Sequence, residues 1–475
     1  MKNLFLLPAL LAGLGLIPAG RATAQTFTTL HSFTAVPSSP PYVNSDGASP
    51  QGGLILSGNT LYGTAGGGGS SGYGTVFAVN TNGTGFTNLH SFIGGSDGAT
   101  PFAGLILSNN TLFGTAVNAG SSGYGMVFAV NTGGTGFTNM HSFTGGSDGA
   151  YPNAGLILSG NTLYGTANYG GGLGFGTVFA VKTNGTGFTN LHSFTGGSDG
   201  ANPVAELILL GNTLYGTTVG GGSSGQGTVF AINTDSAGFT NLHSFTATTG
   251  PSPSTNSDGA LPYAGLILSG NTLYGTAGRG GGSGNGTVFV VNTDGTGFTN
   301  LHSFTATTGP SPSTNSDGAN VQARLILSGS TLYGTARGGG SSGNGTVFAV
   351  NTDGTGFTNL HSFTGGSDGA NPIAELILSA NTLYGTAYTG TSAGNGTVFS
   401  LSLGTVGAPQ LTIIRSAANV VLTWPANAAG FTLQSTANLS PAIWNSVSPG
   451  PVVVNGQSTV TNPISGRQQF YRLRQ

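Results

Sequence analysis

The 475-residue chain has no cysteine, which excludes disulfides, a thiol nucleophile, Cys-ligated zinc and iron–sulfur clusters. Charge is nearly as scarce. Ten Lys and Arg face twelve Asp and Glu, 5% of the chain, where soluble proteins carry about 25%. The formal balance of −2 leaves no basic face to displace counterions, so no nucleic-acid partner is expected. Beyond the first residues no apolar run approaches the ~20 residues that span a bilayer, so no membrane span is expected. Helical periodicity is missing throughout. Glycine, by contrast, is abundant at 88 residues, but it does not fall on every third position, and collagen is excluded. With 37% apolar residues and little net charge, the composition is not that of a disordered chain.

Lys2, a nearly continuous apolar stretch over 4–17, and the small-x-small triplet Ala22-Thr23-Ala24 together predict a signal peptide over 1–24. The mature chain would begin at Gln25 and lie outside the cytoplasm, secreted or attached to the cell surface.

Every histidine sits in a Leu/Met-His-Ser-Phe motif or its equivalent: His31, His90, His141, His192, His243, His302 and His361, spaced by 51 or 59 residues. A period of that length points to a propeller, solenoid or array. One unit holds four strand-like runs, at 154–158, 162–167, 176–181 and 188–194, rich in Val, Phe, Leu, Thr and Tyr. Ser159-Gly160-Asn161 between the first two is a hairpin signal. Leu-Ile-Leu and Gly-Thr/Met-Val-Phe each occur seven times, yet one His motif precedes the first full unit and the last unit lacks one. That offset lets the N-terminal strand supply the outer strand of the last unit, which removes exposed edges from a ring. The expected fold is therefore all-β: a seven-bladed β-propeller over 25–403, closed by its N-terminal strand.

Residues 404–409 read as a linker, and composition changes after them. Both tryptophans, Trp424 and Trp444, lie in 410–475 with about six short runs, which predicts a small β-sandwich-like domain. Charge divides too. Residues 26–404 carry all twelve acids and four bases, net −8, whereas 409–475 carry four arginines and no acid, net +4. A basic tail of this kind could dock on the acidic repeats, hold the protein to an acidic envelope polymer, or simply be solvated.

The recurring Asp-Gly-Ala-x-Pro, Gly-Asn-Thr-Leu-Tyr-Gly-Thr-Ala, Gly-Thr-Val-Phe-Ala-Val-Asn and Asn-Leu-His-Ser-Phe units resemble the GloVer (Gloeo/Verruco) tandem-repeat family, over about 27–403. The resemblance implies an exported bacterial repeat protein of a family that often carries C-terminal anchoring or sorting domains. It carries over no catalytic residue. The C-terminal segment is similar to domains on secreted proteins of the same groups, through Val-Leu-Thr-Trp-Pro, Phe-Thr-Leu-Gln-Ser-Thr and Gln-Phe-Tyr-Arg-Leu.

The seven histidines are expected to be scaffold. Alternation puts Phe188, Asn190, His192 and Phe194 on one face of the fourth strand, with each His bonding a nearby hydroxyl or loop carbonyl. Asp46, Asp97, Asp148, Asp199, Asp258, Asp317 and Asp368 each precede Gly, a turn signal in which Asp caps its own backbone. Calcium at these loops is conceivable from the carboxylates but disfavoured, since no calcium-loop pattern is present, and no cofactor is expected. Gly-x-Ser-x-Gly matches such as 68–72 lie between two strands, so they are compositional rather than nucleophile elbows. Departures from the repeat are more telling. Before Leu-Ile-Leu stands Gly53, Gly104, Gly155 or Gly265 in four units, but Glu206, Arg324 and Glu375 in the others. If Leu-Ile-Leu is the innermost strand, these three meet at the mouth of a central channel. On the same end, the long loops carry Arg279, Arg337, Tyr73, Tyr124, Phe175 and Tyr388. The expected function is recognition of a glycan or envelope protein on this long-loop face; a purely structural surface protein is the alternative. A carbohydrate-active enzyme is disfavoured, because Glu206 and Glu375, three units apart, are expected to be wider than a hydrolase pair. No catalytic or metal residue is assigned.

Overall fold

The structure, a computed structural model, describes residues 25–391, 393–404, 411–416, 418–425, 431–439, 443–454, 457–464 and 468–474. The predicted signal peptide lies outside them, as does the linker apart from Gly404. The chain falls into two compact units, Thr26–Ser402 and one that includes the residues from Leu403 onward. No α-helix occurs among the described residues, and no helix is long and apolar enough to cross a membrane.

The first unit is seven four-stranded antiparallel sheets. Sheet 3 is typical: Ile157–Ser159, Thr162–Ala167, Thr177–Lys182 and Thr189–Ser193 pair in chain order. Gly160 in the hairpin between the first two takes φ +58°, as a two-residue turn requires. The equivalent spans are 55–91 for sheet 1, 106–142 for sheet 2, 208–244 for sheet 4, 267–303 for sheet 5 and 326–362 for sheet 6. Sheet 7 takes its first three strands from 377–402, and its fourth is the N-terminal strand Thr26–Ser32, paired antiparallel with Thr397–Ser402.

The core lies between successive sheets. Phe179 of sheet 3 packs with Phe143, Val127 and Phe113 of the preceding sheet, all buried. Its ring lies across Gly165, its partner on the neighbouring strand; a Cβ there would stand 2.7 Å from Phe179 Cζ and 2.8 Å from Leu156 Cδ2. The same Gly–Phe pairing recurs in every sheet, so the Gly of Leu-Tyr-Gly-Thr makes room for a ring rather than for a turn. A buried Thr hydroxyl then ties each sheet to the next: Thr64 to Ala103 O, Thr115 to Ala154 O, and so on to Thr335 with Ala374 O. Thr386 of sheet 7 makes the equivalent bond, 3.3 Å, to Gly52 O ahead of sheet 1. Val398 of sheet 7 likewise joins the core of Leu54, Leu61 and Phe77 in sheet 1.

In the fourth strand the expected alternation does not hold. Val178 pairs with His192 and Phe179 with Asn190, leaving Leu191 as an extra residue. Such a bulge reverses the parity of the strand. Phe188 therefore packs toward sheet 2, and His192 with Phe194 toward sheet 4.

The second unit has a four-stranded sheet, in the order Thr412–Ser416, Asn419–Pro425, Gln457–Pro463, Val452–Val454. A three-stranded sheet orders Asn445–Ser446, Thr432–Thr436, Phe470–Arg474. Leu422, Trp424 and Val460 of the first share a buried cluster with Leu433 of the second, a sandwich arrangement. Sequence patterning passed over 457–463, whose Gln-Ser-Thr-Val-Thr-Asn-Pro has one buried apolar residue.

Candidate functional site

The bulge decides what the histidines do. Turned toward the next sheet, each imidazole stacks flat on a Phe at the start of that sheet's fourth strand or just before it, at 3.7 to 4.0 Å between ring centres. His192 lies on Phe239; His361 of sheet 6 lies on Phe27 of the N-terminal strand, and His31 of that strand on Phe86 of sheet 1. Nε2 of each His stands 2.9 to 3.2 Å from the carboxylate of the Asp-Gly loop that follows it. The partner is thus a carboxylate, not a hydroxyl or carbonyl. Nor does the Asp cap its own backbone: Asp199 accepts from the Thr195 N–H and hydroxyl as well as from His192. The Gly half of the signal holds, since Gly200 takes φ +107° and brings the loop back over the strand end. With every one of these carboxylates engaged, no group of three metal-ligating side chains forms among the described residues.

Loop length sets the electrostatics. In the short loops burial outweighs the Asp partner and holds His90, His141, His192 and His361 below the usual imidazole range. In the long loops burial pushes Asp46, Asp258 and Asp317 up, but bonds from His and Thr outweigh it and leave them lower than usual. Each His–Asp pair thus finds its partners within the protein.

At one end of the sheets a cavity of about 120 Å³ is lined by the residues that lead into all seven first strands. Gly53, Gly104, Gly155 and Gly265 leave room there for three long side chains. Arg324 Nη1 reaches Glu206 Oε2 at 3.0 Å and Glu375 Oε2 at 3.6 Å, while its Nε donates to Leu266 O at 3.1 Å. A Cβ on Gly53 would stand 2.4 Å from Glu375 Cγ, so a larger residue there would evict Glu375. Burial pushes Glu206 up to about 7; Arg324 opposes this and Glu375 adds to it. The Arg324 guanidinium, despite its own burial, is held charged by the two glutamates. The expectation that the glutamates stand too far apart is overturned. Both touch one nitrogen, so their contacting oxygens are no farther apart than those two distances together, which is not wider than the ~5–9.5 Å of a hydrolase pair. Those oxygens are, however, spent on Arg324.

The loop aromatics lie at the same end. Tyr73, Tyr124 and Phe175 are 47, 39 and 40% exposed, and their backbone carbonyls accept from Thr100, Tyr151 and Asn202, which lead into the cavity. Arg279 and Arg337 are exposed and make no ion pair among the described residues; Tyr388 is half-buried. Sequence reasoning missed Tyr151 and Tyr169, whose rings continue from Tyr124 at 5.8 and 6.0 Å. Aligning the repeats finds them: Tyr151 is the variable residue of Asp-Gly-Ala-x-Pro, and Tyr169 replaces Gly67 of sheet 1.

Seven four-stranded sheets in tandem define a propeller-like all-β repeat protein. The chain belongs to the Gloeobacter/Verrucomicrobia repeat family, whose pattern matches residues 12–174, 92–257, 146–315 and 313–418. No curated protein sequence matches it. Solved structures similar to it include an oligogalacturonate lyase from Vibrio parahaemolyticus (10% identity, 80% of this chain, 98% of that chain, TM-score 0.47). Another is a nidogen/laminin complex (13% identity, 66% of this chain, 94% of that chain, TM-score 0.39).

Proposed function

We propose that this protein is an exported recognition propeller, a seven-bladed ring closed by its N-terminal strand, that binds a glycan or envelope protein with its loop end. Ring closure is supported by Thr386 and His31, which bond and stack onto sheet 1 as their equivalents do between other sheets. Export is supported by the signal-like segment over 1–24. The observation that carries recognition is where the repeat is broken. The His–Phe–Asp belt is kept seven times, whereas the irregular residues, Glu206, Arg324, Glu375, Arg279, Arg337 and the loop aromatics, gather at one end. Residues that depart from a repeat are not what holds the repeat together, so they are free to serve binding. The basic C-terminal unit serves attachment in this reading, and its deletion should release surface-held protein into the medium.

The test is co-sedimentation of the full mature chain with cell-envelope preparations. Binding weakened by Arg279→Gly with Arg337→Gly or by loss of the loop aromatics, each replaced by a residue found in sibling sheets, supports recognition. Absence of any binding supports the purely structural alternative. An enzyme reading has one observation in its favour, a carboxyl near pKa 7 beside a second carboxylate. Hydrolysis surviving Glu206→Gln would remove it.

A further inference from the structure

We infer that the loop end of sheets 1 to 3 is a stacking platform for an uncharged polysaccharide; the inference rests on, and narrows, the recognition reading above.

The position between two glycines before Thr/Met-Val-Phe is Tyr73, Tyr124 and Phe175 in sheets 1 to 3, but Gln226, Asn285, Asn344 and Asn395 in sheets 4 to 7. Two of the amides turn inward: Asn285 donates to Thr305 O at 2.6 Å and Asn395 to Thr34 O. The aromatics instead lie flat on a glycine of the short loop that follows. A Cβ on Gly145 would stand 2.8 Å from two Tyr124 ring carbons, and one on Gly196 would stand 2.7 Å from Phe175. These glycines hold φ +77° and +78°, so backbone covers one ring face and the other stays open. A pinned ring with one free face is what stacking against a sugar needs, since no side-chain entropy is left to lose.

Between sheets 2 and 3 further rings join the platform. Tyr124, Tyr151 and Tyr169 form an edge-to-face row from sheet 2 to sheet 3, and Tyr169 is 49% exposed. Between 51 and 205 the chain has a single basic residue, Lys182, at the far hairpin end of its strand. The three acids of that stretch, Asp97, Asp148 and Asp199, are bound to histidines. With no basic side chain at the platform, an anionic polymer has no counter-ion there; the exposed Arg279 and Arg337 belong to sheets 5 and 6. Ser, Asn and Gly around the rings supply hydroxyl partners without charge.

The test is affinity electrophoresis of the full mature chain in gels holding a neutral polysaccharide (xyloglucan, amylopectin or a soluble β-1,3-glucan) or an acidic one (alginate). The variant carries Tyr73→Asn, Tyr124→Asn and Phe175→Asn, the residue that sheets 5 to 7 place there, and its melting temperature is checked alongside. The expected result is retardation by at least one neutral polymer, weakened about tenfold or more in the variant, with melting unchanged. Retardation by alginate alone, or neutral binding indifferent to the variant, overturns the inference while leaving recognition standing. A wild-type dimer in sedimentation that the variant dissolves also overturns it, because the platform would then pair two copies. Failure of the wild type to bind envelopes at all defeats the recognition reading itself.

Discussion

The His–Phe belt and the loop end are built from one repeat but follow opposite rules. In the belt all seven copies keep the same His, Phe and Asp, and every imidazole and carboxylate has its partner inside the protein. At the loop end the copies differ, three charges replace glycine, and rings stand half open. Identity under repetition marks residues that hold sheets together; difference marks residues that repetition does not need.

The sharpest way to break the contrast is to remove one copy of the belt. Deleting 26–32 strips the fourth strand from sheet 7 and two stacks, Phe27–His361 and His31–Phe86. Cooperative thermal unfolding should be lost, with aggregation through the bared edge; an unchanged melting curve would show that the strand is dispensable. Next comes Arg324→Leu, which leaves two carboxylates facing each other and should cost about 3 kcal/mol in urea denaturation. Arg324→Gly combined with Glu206→Gly and Glu375→Gly restores the repeat's own residue and should return most of that loss. A smaller effect, about 1–3 kcal/mol, is expected for Asp199→Ala, which orphans His192 and the Thr195 N–H. Asp148→Ala should match it, because His141 and Thr144 bond that carboxylate as His192 and Thr195 bond Asp199.

The pH dependence follows from the same groups. His90, His141, His192 and His361 titrate below their unfolded value, so the unfolded chain binds more protons as pH falls under about 6.5, and stability drops there. Asp46, Asp258 and Asp317, also lowered, withdraw their stabilisation only as pH falls through about 3.8. Glu206, raised to about 7, acts in reverse and costs stability as pH climbs from about 4.5 toward 7. Glu206→Gln removes the opposing group, so in that variant chemical denaturation at pH 7.5 and 5.5 should show the higher stability at 7.5, and the difference should exceed the parent's.

Legibility followed the same divide. Seven units, four strands each and the supply of a fourth strand by the N-terminus could be read because periodicity multiplies a weak signal sevenfold. The His–Asp pairing could not. It depends on a bulge at Leu191 that carries no glycine or proline mark, and on Asp199, seven residues past His192, folding back over the strand. The mouth residues were legible as interruptions of Gly before Leu-Ile-Leu, but not their mutual contact, since Arg324 reaches past Gly265 to meet Glu206. Tyr73, Tyr124 and Phe175 were visible as loop aromatics, whereas the glycines beneath them act through space from the following loop.

The most direct test is a chain made uniform at the loop end alone: Glu206, Arg324, Glu375, Arg279 and Arg337 changed to Gly, and Tyr73, Tyr124 and Phe175 to Asn. Its melting temperature and its binding to cell envelopes would be measured beside the parent. Function lodged in the departures from the repeat predicts a protein that melts as the parent does and has lost its binding. Binding that persists in the uniform chain would contradict the account.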